Sequence, residues 1–106
     1  MRTITIKQHD TARALTDALT IDGAAINLSG AAVALVFQDD QGSAPVRRAA
    51  SIVSAAAGTV SYQLIAADTA EAVTFTLEWD ITFGDGSILT VPDNDYYILL
   101  IKPDLG

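Results

Sequence analysis

From Val73 to Phe83 the chain keeps a strict two-residue rhythm. Val73, Phe75, Leu77, Trp79, Ile81 and Phe83 are apolar, and Thr74, Thr76, Glu78, Asp80 and Thr82 between them are polar. A period of two puts the apolar side chains on one side of a pleated strand and the polar ones on the other. A helix would scatter the same residues around its axis, so the segment is predicted to be a strand with one buried and one wet face. Gly84-Asp85-Gly86 then supplies residues that tolerate positive φ, which predicts a hairpin. Ser87 to Val91 makes the return, and Pro92, which has no N–H for a ladder, ends it. The only tryptophan and two of the three phenylalanines lie on the apolar face. The core is therefore expected to gather Phe75, Leu77, Trp79 and Ile81 with Leu35, Phe37 and Tyr62.

The rest of the chain reads as further short strands. Thr3 to Gln8 alternates, with Ile4 and Ile6 inward, and His9-Asp10-Thr11 breaks it. Across Ala12 to Ile21 the β-branched Thr16, Thr20 and Ile21 favour a strand over a helix. Asp22-Gly23 and Asn27-Leu28-Ser29-Gly30 are turn clusters, with Leu28 plugging the core between polar neighbours. Ala31 to Gln38 is apolar on both faces, as expected of a strand covered on both sides. Val46 to Val53 is read as one strand, and Thr59 to Leu64 alternates with Val60, Tyr62 and Leu64 inward. Ala66 to Ala72 is the one helical turn, with Asp68 as its cap and Glu71 three residues on. Tyr96 to Lys102 is the last strand. Strands at this spacing predict a single all-β domain over residues 1–106, an antiparallel β-sandwich of about seven strands with one short helical turn.

Composition narrows the partners. Thirteen Asp and Glu against six Lys and Arg give a net charge of −7. Such a chain repels phosphate backbones and anionic membrane surfaces, which predicts neither a nucleic-acid nor a membrane partner. There is no cysteine, hence no disulfide, thiolate metal site or thiol nucleophile. Met1 to Lys7 has no apolar run of signal-peptide length, and no segment reaches the roughly 18 apolar residues of a membrane span.

The residues of known catalytic constellations are missing from any recognisable spacing. The single histidine, His9, sits in a turn without a nucleophile at motif distance. Glu78 and Asp80 share the wet face of a strand and read as a solvated sheet surface. Asp93-Asn94-Asp95 is a fragment of a calcium loop without its glycine and distal glutamate. Arg47-Arg48 is a single basic pair, far short of a nucleic-acid footprint. Trp79 lies on the apolar side of the alternation, so it reads as core and not as a sugar platform. The sequence thus predicts no enzyme, no cofactor and no metal.

Taken in order, the turns and strands resemble a known pattern. Ile6 to Thr11, Asp22-Gly23 with Asn27-Leu28-Ser29-Gly30, Gly58-Thr59-Val60-Ser61-Tyr62, and Glu78 to Phe83 with Asp85-Gly86 and Thr90-Val91-Pro92 follow one another across residues 3–102. This series resembles the immunoglobulin-like domain at the N-terminus of bacteriophage baseplate upper proteins and of related small phage tail proteins. His9 departs from it, standing where the family carries a glycine, and the chain ends after Gly106 where a baseplate upper protein continues. The resemblance implies an immunoglobulin-like sandwich that serves as a structural, protein-binding module. Its partners would be other virion structural proteins, it would be a homo-oligomer within an assembly, and it would reside in a virion assembled in a bacterial cytoplasm. A second reading is a receptor- or carbohydrate-binding sandwich using the end loops Asp39 to Ser43 and Asp93 to Tyr96.

One segment points to where partners would meet. In Tyr96, Tyr97, Ile98, Leu99, Leu100 and Ile101 both faces of the strand are apolar. Either Tyr97, Leu99 and Ile101 or Tyr96, Ile98 and Leu100 faces the core, and the other set needs a cover. The helical turn near 66–72, the chain's tail or another molecule would supply it. A tyrosine–aliphatic stripe matches the composition of protein interfaces.

Overall fold

The alternating segment becomes the middle strand of the larger of two main sheets. In the computed structural model, which describes residues 2–91 and 97–103, the strands in chain order are β1 (Arg2–Lys7), β2 (Ala14–Ala18), β3 (Thr20–Ile21), β4 (Ala24–Ala25), β5 (Ala32–Asp39) and β6 (Val46–Ala49). They continue with β7 (Ser51–Ser54), β8 (Thr59–Gln63), β9 (Thr74–Thr82), β10 (Ile88–Val91) and β11 (Tyr97–Lys102). The only helical element among the described residues is a 3-10 turn at Ala66–Asp68. The fold is all β.

The larger sheet runs β1-β11-β9-β5-β6, and β10 shares the β11 edge of β9. β10 pairs with the second half of β9, Ile88 opposite Thr82 and Val91 opposite Trp79. β11 pairs with the first half, Tyr97 opposite Leu77 and Leu100 opposite Thr74. The smaller sheet runs β2-β8-β7. β3 and β4 form a separate two-stranded hairpin. Asp22 and Gly23 turn it at φ 53° and 82°, the left-handed pair that a two-residue hairpin loop requires.

Three expectations need correction. The sheets are mixed and not purely antiparallel, because β1 lies parallel to β11, Ile4 beside Leu99 and Ile6 beside Ile101. A parallel pair needs a long crossover between its strands. Here they are the first and last of the chain, and everything between them serves as the crossover. Among the described residues eleven strands replace about seven, because Val46 to Val53 divides and because two-residue strands form at 20–25. Ala50 is the dividing point: its N–H donates to Val33 O at 2.9 Å, so it still belongs to the edge of β5, and from Ser51 the chain pairs with β8 in the other sheet. β5, finally, is covered on one face only. Val33, Leu35 and Phe37 are buried, whereas Ala34 and Val36 on the other side stay partly open.

One core lies between the two main sheets. Leu35, Phe37, Leu77, Trp79, Ile81, Leu99 and Ile101 from the larger sheet meet Leu15, Val60 and Tyr62 from the smaller. Phe37 sits at the join, edge-on to Tyr62 with ring centroids 5.8 Å apart and edge-on to Phe75 at 5.4 Å. Leu28 plugs the core from its turn, 1% exposed. Gly58 closes the end beside Leu19. Its φ is +69°, and a Cβ there would stand 2.7 Å from Leu19 O and 2.8 Å from Ile26 O. Only glycine satisfies both conditions.

Candidate interaction surface

Strand alternation sends the neighbours Arg47 and Arg48 to opposite faces of β6, and each meets an aspartate. Arg48 reaches inward: its Nε donates to Asp68 Oδ1 at 3.2 Å. Asp68 Oδ2 also accepts the Tyr62 hydroxyl at 2.6 Å and the Ile65 N–H at 3.0 Å. The Asp68 side chain is 2% exposed. It therefore ties β8, β6 and the 3-10 turn together inside the fold. Burial, then the hydrogen bond to Asp68 and that carboxylate's charge, push the Tyr62 hydroxyl well above the usual tyrosine range. Asp68 caps the turn from a different position than the sequence suggested: Ile65 occupies the cap position, and Asp68, the third residue of the turn, reaches back to accept the Ile65 N–H. Thr69, fully buried, donates from Oγ1 to Asp10 O at 3.1 Å and accepts the His9 N–H at 2.9 Å. These contacts fasten the end of β1 to the same corner. His9 holds a φ of +71°, the conformation that makes glycine the easier residue there.

Arg47 turns outward and pairs with Asp80 on β9. Asp80 Oδ1 also accepts the Thr90 hydroxyl of β10 at 2.8 Å. This pair belongs to the outer face of the larger sheet, whose composition follows from register. β9 contributes Thr74, Thr76, Glu78, Asp80 and Thr82. β5 places Val36 opposite Glu78 and Ala34 opposite Asp80. β11 places Ile98 beside Thr76 and Thr3, and Leu100 beside Thr74 and Thr5. A shallow hollow of about 250 Å³ opens where Ala32, Ala34 and Ala49 leave room beside Arg47 and Asp80.

The last strand resolves the choice of faces that the sequence left open. Leu99 and Ile101 are buried, 0% and 2% exposed, and Tyr97 packs partly against the same core. Ile98 and Leu100 point to the outer face and are partly open there. Tyr96 lies outside the described residues, as do Asp93 and Asp95. The contacts of the 3-10 turn run to Tyr62, Arg48, His9 and Asp10, on the inner side of the larger sheet.

The described end loops spend their carboxylates on their own turns. Asp39 Oδ1 accepts the N–H groups of Gln41 and Ser43, both at 3.1 Å. Hydrogen bonding by the Ser43 side chain, more than by these backbone N–H groups, holds the Asp39 carboxyl below the usual range. Asp85 does the same with the Ser87 hydroxyl at 2.6 Å and N–H at 2.9 Å, and its carboxyl is likewise lowered. Both are Asx turns.

Sequence reasoning missed the Asp68–Arg48–Tyr62 cluster. Asp68 stands among alanines in a loop, and nothing local marks it as buried. The only available signal was Tyr62, whose inward place in an alternating strand demands a partner for its hydroxyl. No protein-family model matches the chain, and no curated protein matches it either.

Proposed function

We propose that this protein is a structural, protein-binding module of a bacteriophage or prophage virion, a tail or baseplate component with an immunoglobulin-like sandwich fold. The outer face of the larger sheet is its principal interaction surface. The observation that carries the reading is Ile98 and Leu100, set between the threonines of β1 and β9 on a broad sheet face to which β5 adds Ala34 and Val36. Two aliphatic side chains on such a face stabilise contact with a partner by leaving water. The ordered series of turns and strands over residues 3–102 supports the virion assignment. The structure gives two of its positions a physical basis. Gly58 opens the Gly-x-Val-x-Tyr strand at a point no side chain fits. His9, where the family has glycine, adopts a glycine-type φ.

Fractionation of phage particles tests this reading. Particles induced from the strain that encodes the chain and banded on a density gradient should contain it at a constant ratio to tail proteins. Immunogold labelling should mark the tail or its tip. Recovery of the chain only in the particle-free supernatant would overturn the assignment.

A further inference from the structure

We infer that the partner on the outer face of the larger sheet is a second copy of this chain, packed face to face about a two-fold axis. The inference rests on the reading that this face is an interaction surface, and it follows from where the charges lie. Of the ten carboxylates on described residues, only Glu78 and Asp80 belong to this face, together with the three cations Lys7, Arg47 and Lys102. A chain of net charge −7 repels its own copies over most of its surface. On this face the balance is reversed.

The charges are also separated along the strands. Lys7 and Lys102 stand side by side at one end of β1 and β11. Glu78 and Asp80 lie toward the other end of β9, beyond Thr76. Ile98 and Leu100 occupy the stretch between, level with Thr76 and Thr74. A two-fold axis lying between two such faces, and crossing the strands at about the level of Thr76 and Ile98, sets the lysines of each copy over the carboxylates of the other. The aliphatic pairs then meet at the centre. An isologous interface requires this self-complementarity. Glu78, Lys7 and Lys102 make no side-chain hydrogen bond or ion pair with any described residue, so their charges remain available to a partner.

The size is adequate. The six strands of this sheet hold 37 residues, which at about 4.8 Å by about 3.3 Å per residue give on the order of 600 Å² per copy. Two copies together come to the lower bound of the roughly 1,200–2,000 Å² of a specific interface. The small Thr and Ala side chains let two flat faces approach to the usual sheet spacing of about 10 Å.

Charge-swapped variants test the geometry. Glu78→Lys and the double variant Lys7→Glu/Lys102→Glu are made in the full chain, their folding is checked by circular dichroism, and their mass is followed by sedimentation over a concentration series. The wild type should reach twice the chain mass, and added salt should lower that fraction. Each variant alone should associate at least about tenfold more weakly, because like charges now face one another at both ends of the interface. Mixed together, the two variants should dimerise with each other about as well as the wild type does. That recovery also shows that neither substitution acted by unfolding. A wild type that stays monomeric at every concentration overturns the inference, as does a dimer that both variants leave unchanged. If monomeric wild type is nonetheless incorporated into particles, the face-to-face dimer is wrong and the virion reading stands.

Discussion

Two ion pairs share one dipeptide, and their surroundings set them apart. Arg48 and Asp68, joined by the Tyr62 hydroxyl, sit between the sheets, where the carboxylate is nearly sealed from water. Arg47 and Asp80, joined by the Thr90 hydroxyl, lie on an open sheet face, with the arginine side chain 55% and the aspartate 16% exposed. The chemistry is matched: one guanidinium, one carboxylate, one hydroxyl donor. The energetics are not. A buried carboxylate has lost its hydration and depends on every protein donor around it, whereas a surface pair competes with water at each step. The inner cluster is expected to hold the fold, and the outer one to be nearly dispensable to it.

Removing Asp68 tests the first half of that contrast. Asp68→Ala strands the Tyr62 hydroxyl in the interior, leaves the part-buried Ile65 N–H without its acceptor and Arg48 without its counter-ion. The expected loss is about 3–5 kcal/mol, the range for breaking a buried pair. Chemical denaturation of the wild type and the variant measures it. A loss under about 1 kcal/mol would place the inner cluster in the same class as a surface pair.

Tyr62→Phe deletes one donor and keeps the ring that meets Phe37 edge-on. Its expected cost is smaller, about 1–2 kcal/mol, since Asp68 retains Arg48 and the Ile65 N–H. The pH dependence carries more information than the size. The folded protein holds the Tyr62 proton more tightly than the unfolded chain does. This contribution to stability is therefore complete below the unfolded tyrosine value of about 10 and is lost as pH rises above it. The stability difference between wild type and Tyr62→Phe should be constant from neutral pH to about 10 and then shrink. A difference that stays flat at higher pH would mean the hydroxyl gains nothing from its burial beside Asp68.

The contrast also marks what was legible in the sequence. β9 and its hairpin were, because a period of two over Val73 to Phe83 has only one structural meaning. Of the core expected around it, Leu35, Phe37, Tyr62, Leu77, Trp79 and Ile81 are buried, and Phe75 is partly buried against them. Long-range facts were not legible. Nothing in Val46 to Val53 says that the chain changes sheets at Ala50, because alanine suits either side of such a step. The parallel pairing of β1 with β11 joins the two ends of the chain, and no local pattern encodes it. Arg47-Arg48 read as no more than a single basic pair, because a single sequence shows neither aspartate that divides the two. The candidate surface was half visible: the doubled apolar pattern of Tyr97 to Ile101 singled out β11 as a strand with two apolar faces. Which side faced out had to await the register with β9.

The smallest effect on stability is expected at Asp80, and it sharpens the comparison most. Asp80→Ala removes the partner of Arg47 and of the Thr90 hydroxyl, but Arg47 already faces water and Thr90 is only partly covered. Exposed pairs of this kind contribute about 0.2–1 kcal/mol, so the denaturation midpoint should barely move. Arg47 would then add an unbalanced cation to the face on which Lys7 and Lys102 already stand. In the face-to-face dimer Asp80 is also one of the two carboxylates that those lysines approach, so association should weaken while the fold does not. Denaturation and sedimentation on the same sample separate the two effects. A loss of several kcal/mol in stability would make the outer pair a structural element like the inner one. Unchanged stability with unchanged association would remove Asp80 from the surface and leave Glu78 as its only working carboxylate.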